Sequence, residues 1–157
     1  MPLKVRGIKG YELLDEAETL RGRLLDCVEK DAAALAPLAK AYAIPKDDPQ
    51  RAETLEACLT AAAAPPMEVL ELTGRTVELL RGFADMGSPI AVSDAAVGAA
   101  LALAALRGAE INVRVNTRLM QDRARAAALD AKAHVLVDKY ARQAEKIYND
   151  VYGRLAR

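Results

Sequence analysis

Aromatic residues are scarce. The chain has no tryptophan, one phenylalanine and five tyrosines, 4% in all, while alanine, leucine and charged residues dominate. Strands draw on aromatic and β-branched residues, so this bias argues for helices over sheets. Cysteine and histidine are equally sparse. Cys27 and Cys58 are too few for a disulfide framework, and with only His134 beside them they do not make a zinc site of the usual kind. The thiols are expected to be free and structural, with no metal and no tightly bound cofactor. Net charge is also lacking, because 22 basic residues cancel 22 acidic ones and neither sign forms a long block. Without an electrostatic footprint the chain is not expected to bind nucleic acid or an acidic membrane surface. The start, MPLKVRGIKGYELL, has neither the apolar run nor the small-residue cleavage site of a signal peptide. The most apolar run, residues 95–106, is interrupted by Arg107 and Glu110 and reads as core rather than a membrane span. A soluble, cytoplasmic protein is expected.

What is present is helical periodicity over a length suited to one domain, residues 1–157. From Tyr11 to Ala43, Leu13, Ala17, Leu20, Leu24, Val28, Leu35 and Leu38 recur at three and four residues. Asp31 interrupts this stripe, a carboxylate pointing where the leucines point. Pro37 should kink the helix, and Ile44-Pro45 ends it. Asp47 or Asp48 can cap a second helix, which Pro65-Pro66 should break before a third resumes through Leu70, Val77 and Leu80. Met86-Gly87-Ser88-Pro89 marks the next turn.

Residues 93–117 then form a helix that is apolar on every side and is expected to be the buried centre of the fold. At 100° per residue, Asp94, Gly98, Leu101, Ala105, Gly108, Asn112 and Asn116 fall within about 40° of one line. Asn112 and Asn116 are one turn apart, whereas Asp94 is about 27 Å from Asn112 along the axis. A single site using both ends therefore requires another element or a second subunit. A last helix after Gln121-Asp122 carries Leu129, Ala133, Leu136, Tyr140, Ala144, Ile147 and Val151 at near-heptad spacing. The architecture expected is an all-α antiparallel bundle of long kinked helices.

Three segments in order, DAAALAPLAKAYAIPK at 31–46, APPMEVLE at 64–71 and MGSPIAVSDAAVGAALALAALRGAEINVRVNT at 86–117, resemble the cyclodeaminase and methenyltetrahydrofolate cyclohydrolase family. The most specific parts are the Ser-Asp pair with Val three residues after the Asp, and the Ala-Ala-x-x-Gly-Ala-x-x-Asn-Val-x-x-Asn run at 104–116. The resemblance implies an all-helical homodimer acting on the one-carbon unit of tetrahydrofolate. Two reactions occur in the family: ring closure of formimidoyl-tetrahydrofolate with loss of ammonia, and hydrolysis of the methenyl bridge. The chain departs from the family pattern by starting after the usual Pro-Gly-Gly-Gly segment and by having Gly87-Ser88-Pro89-Ile90 in place of Gly-Asn-x-Asn.

Candidate residues follow from both lines. Asp31 breaks an apolar stripe and falls in the family's Asp-Ala-x-Ala segment, which makes it the candidate general acid/base; burial would tune it toward neutral pH. Its plain alternative is an aspartate satisfied by a neighbouring helix or partly exposed at the kink. Asp94 suits the paired N–H donors of a pterin edge, or simply the first turn of its helix. Ser93 is a ligand contact or a cap. Asn112 and Asn116 either hold ligand together or fix helix packing by a hydrogen bond. Lys46, after the Ile-Pro turn, can neutralise the glutamate tail of a folate or be ordinary surface. Tetrahydrofolate enters as substrate, with no other cofactor. A second reading, from a different functional class, is a non-catalytic helical dimer that retains the fold.

Overall fold

A computed structural model describes residues 8–86 and 89–155 and shows four helices among them: α1 (Ile8–Ala43), α2 (Arg51–Met86), α3 (Pro89–Thr117) and α4 (Arg123–Leu155). The expected all-α bundle is what forms. Gly87 and Ser88 of the anticipated α2–α3 turn lie outside the described residues. The α1–α2 turn is tied by Arg51 Nε, which donates to the Ile44 carbonyl at 2.9 Å, and Asp48 accepts the Gln50 N–H at 2.8 Å. Of the two candidate caps, Asp48 serves. The turn into α4 is held from both sides. The Glu56 carboxylate accepts the N–H groups of Gln121 and Asp122, and Asp122 Oδ1 accepts that of Arg125 at 2.9 Å, satisfying donors a helix start leaves free.

Two features differ from the sequence expectation. First, α2 is the organising helix. It packs on α1, α3 and α4, whereas α1 packs on α2 alone among the described residues. Leu70, Val77 and Ala84 of α2 join Ala99, Leu106 and Val113 of α3 and Val137, Ala144 and Ile147 of α4 in the main core. Leu72 and Leu79 turn the other way, to Leu20 and Cys27 of α1. Second, α3 is not enclosed. Its inner side is buried, but Val97, Leu101, Ile111 and Val115 are exposed because none of the other described residues covers that face. By length and composition Val92–Thr117 would suffice to cross a membrane, contrary to the expectation from the shorter run; a core helix passes the same test, and α2 and α4 pack on this one.

The α2–α4 contact is close at Gly74. A Cβ there would stand 2.3 Å from Tyr140 Cε2, and the ring is fixed by its hydroxyl donating to Glu78 at 3.1 Å. Gly74→Ala is therefore expected to destabilise the fold, since overpacking costs about 1–3 kcal/mol against the ~1 kcal/mol a helix gains from alanine. Gly22→Ala, with open space at its Cβ, should not. Thermal melts of the two variants check the contrast.

Candidate functional site

The two central prolines shape a cleft. Neither Pro65 nor Pro66 can donate a backbone hydrogen bond, yet α2 continues through both, contrary to the expected break. One consequence is repaired from outside. Pro66 leaves the Ala62 carbonyl without its usual helical donor, and the Asn116 side-chain amide donates to that oxygen at 3.2 Å, as well as to the Asn112 carbonyl at 3.0 Å. Asn116 thus ties α3 to the proline turn of α2. Asn116→Ala is expected to cost about 1–2 kcal/mol by leaving that half-buried carbonyl unsatisfied, read as a lower melting temperature.

Above the prolines lies an open cleft of ≈ 410 Å³, within the range of small-molecule sites. Pro65, Pro66 and Val69 form its floor; Leu24, Cys27, Val28 and Asp31 of α1 form one wall, and Ala105, Gly108, Ala109 and Asn112 of α3 the other. Asp31 and Asn112, 81 positions apart in the sequence, thus share one apolar cleft. Neither the Asp31 carboxylate nor the Asn112 amide has a side-chain partner among the described residues. Asp31 is exposed at the rim rather than buried, because the α1 stripe divides: Cys27 and Leu38 are inside, while Val28 and Leu35 face solvent.

Cys27 lines this cleft one turn before Asp31. Burial, with Glu68 nearby, pushes its thiol above the usual range, so it serves there as an apolar wall rather than a thiolate. In the sequence Cys27 reads as a structural thiol, and only the packing reveals that it faces the cleft.

The other candidates stand apart. Asp94 is exposed and Ser93 half-buried near the start of α3, about 27 Å along the axis from Asn112. Lys46 is exposed in the α1–α2 turn and does not line the cleft. A second hollow of ≈ 430 Å³, between α1, α2 and α4, contains none of the candidates. Its charged groups are already paired: Arg23 with Glu68, Glu71 with Lys132 and Arg125 with Asp122. The cleft above the prolines keeps its polar groups available and is the better site.

Comparison with known proteins gives three findings. The family model described as formiminotransferase-cyclodeaminase matches residues 7–135. The methenyltetrahydrofolate cyclohydrolase of Methylorubrum extorquens is 28% identical over 148 residues, covering 92% of this chain and 71% of that protein. The crystal structure of formiminotetrahydrofolate cyclodeaminase from Thermotoga maritima aligns with a TM-score of 0.73 at 23% identity, covering 94% of this chain and 77% of that one, a likeness of fold.

Proposed function

Because the chain belongs to the formiminotransferase-cyclodeaminase family, we propose that it is a folate one-carbon enzyme that hydrolyses the methenyl bridge of methenyl-tetrahydrofolate. The name of the Methylorubrum relative supports this choice of reaction. Asp31 and Asn112, whose side chains are unengaged among the described residues, meet across one apolar cleft, and this supports the reading.

The bridge carbon lies between two nitrogens that share a positive charge. Water adds to it while the Asp31 carboxylate takes one proton from that water. The resulting tetrahedral carbon then breaks its bond to one nitrogen, which receives a proton as the formyl group forms; one proton is released overall. Asn112 has both a donor and an acceptor with which to hold the reacting group in line with Asp31. The cleft's apolar floor of Pro65, Pro66 and Val69 suits the face of a pterin ring. Asp94 is assigned to the pterin's paired N–H donors, with Ser93 beside it, and Lys46 to the tail carboxylates; Asn116 orients Asn112 through its bond to that residue's carbonyl. The enzyme works as a homodimer.

Ring closure of formimidoyl-tetrahydrofolate would use the same groups in another order, with Asp31 protonating the departing ammonia. Ammonia release from that substrate, set against formyl production from the methenyl compound, distinguishes the two reactions. Calorimetric titration of the folded chain with formyl-tetrahydrofolate, the product, tests the site itself. Saturable heat that is weakened in Asn112→Ala is expected; no binding heat would support the non-catalytic dimer instead.

A further inference from the structure

The exposed face of α3 has a pattern that the cleft does not explain. Asp94, Val97, Leu101, Ala104, Gly108, Ile111, Val115 and Arg118 follow one another at alternating steps of three and four, the spacing of a coiled-coil seam. All eight are exposed, with Val97 at 59%, Leu101 at 67%, Ile111 at 60% and Val115 at 47% of full accessibility. Helical winding persists to the end of the row, since the Arg118 N–H donates to the Arg114 carbonyl at 3.1 Å.

The row is self-complementary when reversed. A two-fold axis at the level of residue 106 sets Asp94 against the partner's Arg118, Val97 against the partner's Val115, Leu101 against the partner's Ile111 and Ala104 against the partner's Gly108. Opposite charges meet at both ends, branched side chains meet on both flanks, and the smallest residues meet at the middle. Neither the Asp94 nor the Arg118 side chain has an ion-pair partner among the described residues. Gly108 has nothing within 4 Å of where a Cβ would be, so packing among the described residues gives no reason for a glycine, which costs a helix about 1 kcal/mol relative to alanine. A second helix crossing closely at that point supplies one.

We propose that the occupant of this face is a second copy of the chain, its α3 running antiparallel across the first, and that each cleft is completed by the partner's Asp94. The register brings that carboxylate to the level of Arg118, six residues or about 9 Å along the axis from Asn112, in place of the ~27 Å within one chain. Gly108 belongs to both the seam and the cleft wall, so the partner helix stands at the rim of the cleft. The pairing of copies is independent of the substrate; the role of the partner's Asp94 rests on the folate reading above.

Each half has its own test. The wild-type chain should sediment as a dimer at micromolar concentration and Leu101→Glu as a helical monomer. Mild oxidation should cross-link copies of the Leu101→Cys, Ile111→Cys double variant but not of Leu101→Cys alone, whose two sulfurs would be about 15 Å apart along the seam. A wild-type monomer, a chain that partitions into phosphatidylcholine vesicles instead of dimerising, or cross-linking of the single variant overturns the pairing. For the shared site, Asp31→Asn and Asp94→Asn are co-expressed. If a cleft takes Asp31 from one copy and Asp94 from the other, mixed dimers retain one intact cleft and the mixture recovers about a quarter of wild-type methenyl hydrolysis. A mixture no more active than either variant alone, beside an active wild type, overturns the shared site. An inactive wild-type dimer overturns the folate reading and the shared site with it, while leaving the pairing in place.

Discussion

Replacing Asp31 by asparagine is expected to lower kcat for methenyl-tetrahydrofolate hydrolysis about 10²- to 10⁴-fold, the range typical of a lost general acid/base. The substitution keeps the size and polarity of the side chain and removes only its capacity to take a proton. Asp31 is exposed and its carboxylate has no side-chain partner among the described residues, so the change should leave the helices intact. Far-ultraviolet circular dichroism and a melting curve matching the wild type would locate the loss in the chemistry. Because the group is proposed to act in the reaction rather than in binding, KM should move far less than kcat. An unchanged kcat would remove Asp31 from the mechanism.

The largest effect on stability is expected at Leu106. Its side chain is fully buried in the main core, on the side of α3 opposite the exposed seam. Leu106→Ala deletes apolar volume that the surrounding helices refill only in part, at a cost of about 2–5 kcal/mol. For a domain of this size each kcal/mol corresponds to roughly 2–4 °C in Tm, so a fall on the order of 5–20 °C is expected at fixed protein concentration. Leu101→Ala, on the exposed face of the same helix, removes a similar side chain without opening a cavity within its own chain. A similar drop in both variants under dissociating, dilute conditions would contradict the account of which side of α3 is inside.

Much of this fold is legible in the sequence because helical periodicity is a local property. The span inferred from Tyr11 to Ala43 lies within α1, and the helices expected after Gly87-Ser88-Pro89 and after Asp122 correspond to α3 and α4. The misjudged places all depend on partners distant in the chain. Pro65-Pro66 looks like a break, because the side chain that takes up the freed Ala62 carbonyl comes from Asn116 on another helix. α3 looks buried all round, because composition records that a face is apolar and not whether the chain contains anything to cover it. Asp31 is conspicuous as a break in a stripe, but the choice between its buried and exposed readings rests on packing, since among the described residues α1 meets only α2 and so buries Cys27 and Leu38 while leaving Val28 and Leu35 outside.

The candidate site divides in the same way. Asp31 and Asn112 were each marked by their position in an apolar pattern, and their meeting over the proline floor is a result of tertiary packing that no local pattern encodes. The separation of Asp94 from Asn112, by contrast, follows from helical rise alone, and a single site using both already requires another element or a second subunit.

If Asp31 opens the methenyl bridge as proposed, adding the protein to methenyl-tetrahydrofolate abolishes its near-ultraviolet absorbance. A rate well above buffer is expected for the folded wild-type chain and a rate close to buffer for Asp31→Asn. No rate above buffer from a folded, dimeric wild-type sample would contradict it.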